Sequence, residues 1–493
     1  MTKSLSLVSV LLAAALTACG GGGSGTAPAP APSPATGVAL DLAKTILSGY
    51  DASIATAIPT TGASATALTD GCSLNNGFSK ALSITDYDAD TNRVASRQYE
   101  IGSTRTGITV LADRSTTNAD GTGRREIDVA YAINYTDGTK DEKTTQTLIS
   151  GSSSGSKMAD GTACTTPENK TEFRFFGNRK VVNTFVTASN ERQFHTALAT
   201  GVSDASATFN RYVTLGVRDP ANVATYATIS GPGFGTTAGV TNTFKLVSPR
   251  LLRSAPEFAG KPGNYVDWRD NDSFRVCRTS TAGYAFADTA DCVTNGATSN
   301  NYGSFAQLDP SVQDTSFNAI GIVAGGVYTV KVYAGDGWKT VNGQAGITPI
   351  ATYATTLENL PMSTVALAGT LAIPANKFAV INSTTNVSQV ATAVRTKVAI
   401  SVPFTWISPG VMPDGKAIAL NTLFSFENGS TTAAGFYPAT RQINLTYPAS
   451  TATSATLNIP APVPVLLTPN YGEVTFEYSN RNGNFIRNLF YIN

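Results

Sequence analysis

Glu126-Ile-Asp-Val-Ala-Tyr-Ala-Ile-Asn-Tyr135, set between Asp120-Gly121 and Asp137-Gly138, decides the fold class. Ile127, Val129, Tyr131, Ile133 and Tyr135 recur at every second position, the period of a strand with one face on a core. The flanking Asp-Gly pairs accept positive φ, so the strand should turn back through a hairpin at either end. Working outward, strands are predicted over Gly107–Ala112, Thr144–Ile149, Glu172–Phe176 and Lys180–Thr187, with Gly177-Asn178 as a third turn. Upstream, Val38 to Ile58 places apolar residues at 38, 42, 46 and 50, with 40, 43, 47 and 54 beside them, which is one amphipathic helix. Helix plus antiparallel sheet makes residues 38–204 an α+β domain. A second short helix is expected at Glu191–Thr200, with Phe194 and Leu198 on one face and Gly201 as its stop; an edge strand is the alternative.

Beyond residue 205 the pattern is all-β. Arg211–Val217 alternates, Asp219-Pro220 turns and Val223–Ile229 returns. Val327–Tyr333, Asp336-Gly337 and Ile350–Leu357 repeat that plan, and both returning strands contain Ala-Thr-Tyr-Ala-Thr, at 224–228 and 351–355. This suggests an internal duplication and two related sandwich edges. Further strands are expected at Ala391–Ile407, Leu420–Phe426, Arg441–Tyr447 and Gly472–Tyr478. The predicted fold is mainly β: the α+β domain, then immunoglobulin-like β-sandwich domains over 205–365, with an inserted disulfide loop, and 366–493.

Composition narrows the function. The chain has 493 residues, of which 14% are charged, and 35 Lys+Arg against 34 Asp+Glu leave it almost neutral. A strongly basic nucleic-acid binder is excluded as the default reading, so no nucleic-acid partner is expected. A single histidine, His195, cannot build a multi-histidine metal site.

Residues 1–18 carry one early cation, Lys3, and an apolar run from Leu5 to Leu16, too short to cross a bilayer as a helix, which needs about 20 apolar residues. The run ends in Leu16-Thr17-Ala18-Cys19, which resembles the lipobox of bacterial lipoproteins. The resemblance implies that residues 1–18 are a cleaved signal peptide, that Cys19 receives diacylglycerol, and that the chain is held to the membrane by lipid rather than by a span. Gly20 in place of an aspartate implies sorting to the outer membrane of a Gram-negative cell. Residues 19–37, first glycine-rich and then alternating Ala and Pro, read as a tether.

Four further cysteines, Cys72, Cys164, Cys277 and Cys292, are an even number in an oxidising compartment, and sequence locality favours 72–164 and 277–292. Chemistry is sparse. Gly151-Ser-Ser-Ser-Gly155 matches the nucleophile-elbow spelling without the strand, helix and partner order that motif requires. Asp86, Asp88, Asp90 and Asn92 have the alternate-residue spacing of a loop that wraps Ca²⁺, but Thr91 stands where glycine is expected and Arg97 where a bidentate acid is needed. Calcium and a solvated turn both remain open. Tyr265, Asp267, Trp268, Asp270 and Asp272 combine aromatic planes with carboxylates, the minimum for stacking on a sugar and bonding its hydroxyls; a core tryptophan flanked by turn acids is the alternative.

No catalytic residue is assigned, and three function classes compete. The first is a lipid-anchored surface module that binds glycan or protein, or serves a structural role, without catalysis. The second is a secreted hydrolase working with carboxylates. The third is a periplasm-facing envelope assembly factor.

Overall fold

The computed structural model describes residues 33–57, 68–79, 100–196 save 137 and 139, 208–248 save 235, 238, 239 and 242, 273–277, 306–307, 321–335, 348–357, 360–361, four residues within 389–396, 398–405, 421–430, 442–446, 454–459, 470–479 and 485–492. It is mainly β, in several antiparallel sheets. Helix α1, Ala39–Ser53, is followed by the short hairpin β1, Leu74–Asn75, and β2, Phe78–Ser79. β3 (Thr104–Thr117), β4 (Gly123–Asn134), β5 (Lys140–Ser152) and β6 (Asn169–Gly177) then form a four-stranded meander in that order.

Both sequence periods appear in one core. Ala43, Ile46 and Leu47 of α1 lie on Ile127, Val129, Tyr131 and Ile133 of β4, with Leu148 and Phe173 from β5 and β6. The opposite face of the sheet buries Ile149 and Phe176 against Cys72. β3 is an edge strand, and two register shifts interrupt its pairing, between Thr106 and Thr109 and between Val110 and Ala112. Gly107 supplies positive φ (63°) at the first. Such bulges twist an edge away from pairing with another chain. At the β6 end, a Cβ on Gly177 would lie 1.8 Å from the Leu74 carbonyl oxygen, so that turn needs glycine for close approach as well as for its φ of 87°.

The strands that follow are β7 (Asn183–Thr196), β8 (Thr208–Arg218), β9 (Tyr226–Ser230), β10 (Thr236–Thr237), β11 (Val240–Thr241), β12 (Phe244–Val247), β13 (Arg275–Cys277), β14 (Ala306–Gln307), β15 (Gly326–Tyr333) and β16 (Ala351–Leu357). The last are β17 (Ile400–Thr405), β18 (Asn421–Ser430), β19 (Gln442–Thr446), β20 (Ser454–Ile459), β21 (Asn470–Ser479) and β22 (Phe485–Ile492). One sheet has the order β13-β12-β9-β15-β16 and another β14-β8-β7-β22-β21-β18-β19, while β17 pairs with β20. The boundaries expected at 204/205 and 365/366 run through the seven-stranded sheet, which takes strands from all three segments.

The helix expected at Glu191–Thr200 is corrected: β7 continues as strand to Thr196. It is also no edge, because β8 pairs antiparallel along one side and β22 parallel along the other, with Glu191 opposite Asn210 and Arg487. Two flanking strands outweigh a short 3.6-residue pattern. Of the strand expected over Ala391–Ile407, Ile400–Thr405 is strand, whereas Thr392, Ala393 and Thr396 have helical backbone and Thr396 Oγ1 donates to the Thr392 carbonyl.

The two Ala-Thr-Tyr-Ala-Thr copies sit on either side of β15. The β15–β16 hairpin forms as expected, but β8 does not pair with β9; these belong to different sheets. Register puts Val332 opposite both Ala227 and Ala351, so the copies are offset by three residues and their tyrosines face opposite ways. Tyr226 stacks on Tyr333, with centroids 4.6 Å apart, and Tyr353 instead accepts the Val181 N–H at 3.0 Å. Between the large sheets, Val186, Ala188, Val213, Leu215 and Val217 meet Ala227, Ile229, Phe244, Leu246, Tyr328, Val330 and Val332 in one core.

Tyr328 is fully buried there, and its hydroxyl has no hydrogen-bond partner among the described residues. Burial pushes its ionisation well above the usual phenol range. Tyr328→Phe keeps the ring beside Phe234 and removes the unsatisfied oxygen, so it should stabilise the protein by ~1 kcal/mol in urea titration. A loss of stability would mean that the hydroxyl is engaged.

Candidate functional site at the head of the first sheet

Cys19, the Asp86, Asp88, Asp90 and Asn92 series, the Tyr265, Asp267, Trp268, Asp270 and Asp272 cluster, and Cys292 lie outside the described residues. Cys277 ends β13, in register with Lys245 of β12. Cys72 and Cys164 form a disulfide with Cα atoms 5.6 Å apart. Gly151–Gly155 is the end of β5 running into a turn, with no helix after it. Ser153 is fully buried, its hydroxyl donating to the Glu168 carbonyl and accepting the Glu168 N–H at 2.8 Å. That oxygen is occupied by backbone and is not presented as a nucleophile. His195 lies in β7, in a different sheet, opposite Tyr491.

What the structure assembles is a built site where the chain enters the body. Residues 33–37, read from sequence as the end of the tether, lie against the first sheet just before α1. The Ala35 N–H donates to Ser150 Oγ at 3.0 Å. Arg125 donates through Nη1 to the carbonyls of Ala35 (3.2 Å) and Gly37 (3.1 Å), and through Nη2 to Gly37 again (3.1 Å). Its remaining edge grips Asp113, Nε to Oδ1 at 2.9 Å and Nη2 to Oδ2 at 2.8 Å. Hydrogen bonding to Arg125 holds the Asp113 carboxyl below its ordinary range and lifts Arg125 in turn. Pro34 packs where Gly123 leaves room, since a Cβ there would come within 3.2 Å of the proline ring. Pro34 to Gly37, Asp113, Ser115 and Arg125 line a shallow open trough.

Alternation sends the neighbouring charges to the other face. Arg114 forks onto Asp128 (2.6 and 2.9 Å) and reaches Glu126 at 3.2 Å, and Thr147 Oγ1 donates to Asp128. Partial burial raises Asp128, but the bonds from Arg114 and Thr147 outweigh it and leave the carboxyl low. Further along that face, Asp70 and Arg174 form an ion pair at 2.6 Å with side-chain exposures of 0% and 2%. Arg174 Nη2 donates to the Gly151 carbonyl at 3.0 Å, and Nη1 lies 3.3 Å from that of Lys170. Asp70 Oδ1 accepts the Cys72 N–H at 2.7 Å, so ion pair and disulfide share one strip of backbone. Arg179 lies over the Phe176 ring at 4.2 Å and donates to the Cys72 carbonyl.

Among the described residues, no group of three or more His, Cys, Asp or Glu converges as metal ligands, and no helix is long and apolar enough to cross a membrane. No protein-family model, curated protein or solved structure matches the chain. Sequence reasoning missed Arg125 and the Asp70–Arg174 pair. The available signal was Arg124-Arg125 entering a strand that faces a helix, where unpaired cations would be costly.

Proposed function

We propose that the chain is a lipid-anchored outer-membrane lipoprotein whose β-rich body acts as a non-catalytic module, binding a glycan or a protein at the cell envelope. The observation that carries the reading is Leu16-Thr17-Ala18-Cys19 followed by the Gly/Ala/Pro-rich stretch. A disulfide packed against the first sheet fits an exported protein. Cys277 and Cys292 form the second disulfide in this reading. The two-sheet core is read as an immunoglobulin-like sandwich, supported by the facing apolar rows of β7, β8, β9, β12 and β15. Tyr265, Trp268 and the acids Asp267, Asp270 and Asp272 supply the sugar-binding platform, and Asp86, Asp88, Asp90 and Asn92 a calcium loop.

Cys19→Ser tests the anchor. It should abolish incorporation of labelled fatty acid and leave an uncleaved or soluble product, whereas continued labelling would end the lipoprotein reading. The purified body should bind a glycan or surface protein on an array with little dependence on salt, because a nearly neutral chain releases few counterions. Turnover of a polysaccharide, ester or peptide that disappears on replacing one Asp or Glu would favour the hydrolase instead.

A further inference from the structure

We infer that Arg125 makes residues 34–37 a fixed exit from the folded body, so that one end of the first sheet faces the lipid bilayer holding Cys19. The fixed exit stands on geometry alone; the orientation rests on the lipid-anchor reading. An unanchored linker would leave its amides and carbonyls to water. Here the Ala35 N–H is bonded to Ser150 Oγ, and the carbonyls of Ala35 and Gly37 converge on one guanidinium. That guanidinium is itself set by the two-point contact with Asp113, and its side chain is 14% exposed. A planar fork held on one edge by a carboxylate presents its other donors in a fixed direction, which a lysine could not reproduce.

Position along the sheet then sets orientation. Ser115, Arg125 and Ser150 lie at the end where β3 turns into β4 and β5 runs into the Cys164 loop. Helix α1 starts beside this exit and ends at the opposite end, where Asp51 pairs with Arg105 near the start of β3. The β3–β4 turn at residues 118–122 is therefore on average the end nearer the bilayer, and the β4–β5 turn, one strand length away at roughly 35–40 Å, the end farther from it. The stretch read from sequence as a tether is thereby shortened to residues 19–33.

Two measurements decide this. In soluble full-length Cys19→Ser protein, the Ala35 amide should exchange hydrogen at least about tenfold more slowly than in an unfolded peptide of the same sequence. Arg125→Ala and Ser150→Ala should each release it, while peptides from β4 and β5 stay protected. Exchange of Ala35 at the unfolded rate in the parent protein overturns the fixed exit. For orientation, lipidated protein on phosphatidylethanolamine/phosphatidylglycerol vesicles carries a donor dye at Ala119→Cys or at Thr136→Cys, with acceptor on the lipid headgroups. Transfer should be stronger from position 119, and Arg125→Ala, which frees only residues 34–37 while α1 stays packed on the sheet, should narrow the difference without reversing it. Equal or reversed transfer in the parent overturns the orientation. A chain that takes up no fatty acid overturns the anchor and with it the orientation, leaving the exchange result to decide the exit.

Discussion

Replacing Asp70 by Ala should cost the first sheet ~3 kcal/mol, because it leaves the buried Arg174 guanidinium with only the longer, partly solvated contact to Glu168, 3.5 Å from Nε, as counter-ion. Arg174 is 2% exposed; Nη1 and Nη2 point at backbone carbonyls that cannot neutralise it, and Glu168, 24% exposed, is a weaker partner than the fully buried Asp70. Asp70 has a second task, accepting the Cys72 N–H, so the variant also strands a buried donor. The urea midpoint should fall accordingly. Asp70→Asn, which keeps an acceptor, should lose less, and Asp70→Ala with Arg174→Met should recover much of the loss by removing both charges. A single-variant loss below ~1 kcal/mol would show that water reaches the pair, as it does for exposed ion pairs.

Removing the Cys72–Cys164 disulfide by serine at both positions should cost a comparable ~4–5 kcal/mol on the chain-entropy model, given a sequence separation of 92 residues. Much of that loss comes from the unfolded chain, which gains freedom when the loop opens. The denaturant slope should therefore rise along with the fall in midpoint. An unchanged midpoint would mean that the intervening meander already confines the loop. Because Asp70 and Cys72 share a hydrogen bond, the two losses should not add; a double-mutant cycle should show coupling of ~0.5–3 kcal/mol.

These two features differ in how far the sequence announces them. The disulfide was legible, because an even cysteine count and an export-like leader leave few pairings. The ion pair was not: Asp70 and Arg174 are 104 positions apart, and each taken alone is a residue type expected at the surface. The β3–β6 meander was legible for a different reason. Its alternation is local, its β3–β4 and β4–β5 turns carry Asp-Gly, and one face must lie on α1 whatever the rest of the chain does; the Gly177-Asn178 turn, expected as a hairpin, instead leads from β6 into β7 of a different sheet. β7 was misread where its identity depends on β22, a partner far along the chain. The duplicated pentapeptide shows both sides of the matter, since the repeat is visible in the letters while its three-residue offset arises from pairing with a shared central strand. Arg125 was missed because its partners are backbone carbonyls, which no side-chain pattern advertises.

The parallel pairing of β7 with β22 sets an order of events for the newborn chain. During synthesis at ~5–20 residues per second, the nearly three hundred residues between these strands take on the order of 15–60 s to appear. Throughout that interval one side of β7 has no β22 to meet, although β8 is already available on the other. The sheet is thus assembled in two instalments, and the late one carries the waiting time of a long loop closure. A holdase that caps an open strand edge has its window here, and a chain stalled before residue 485 would carry the same unguarded edge into encounters with other copies of itself.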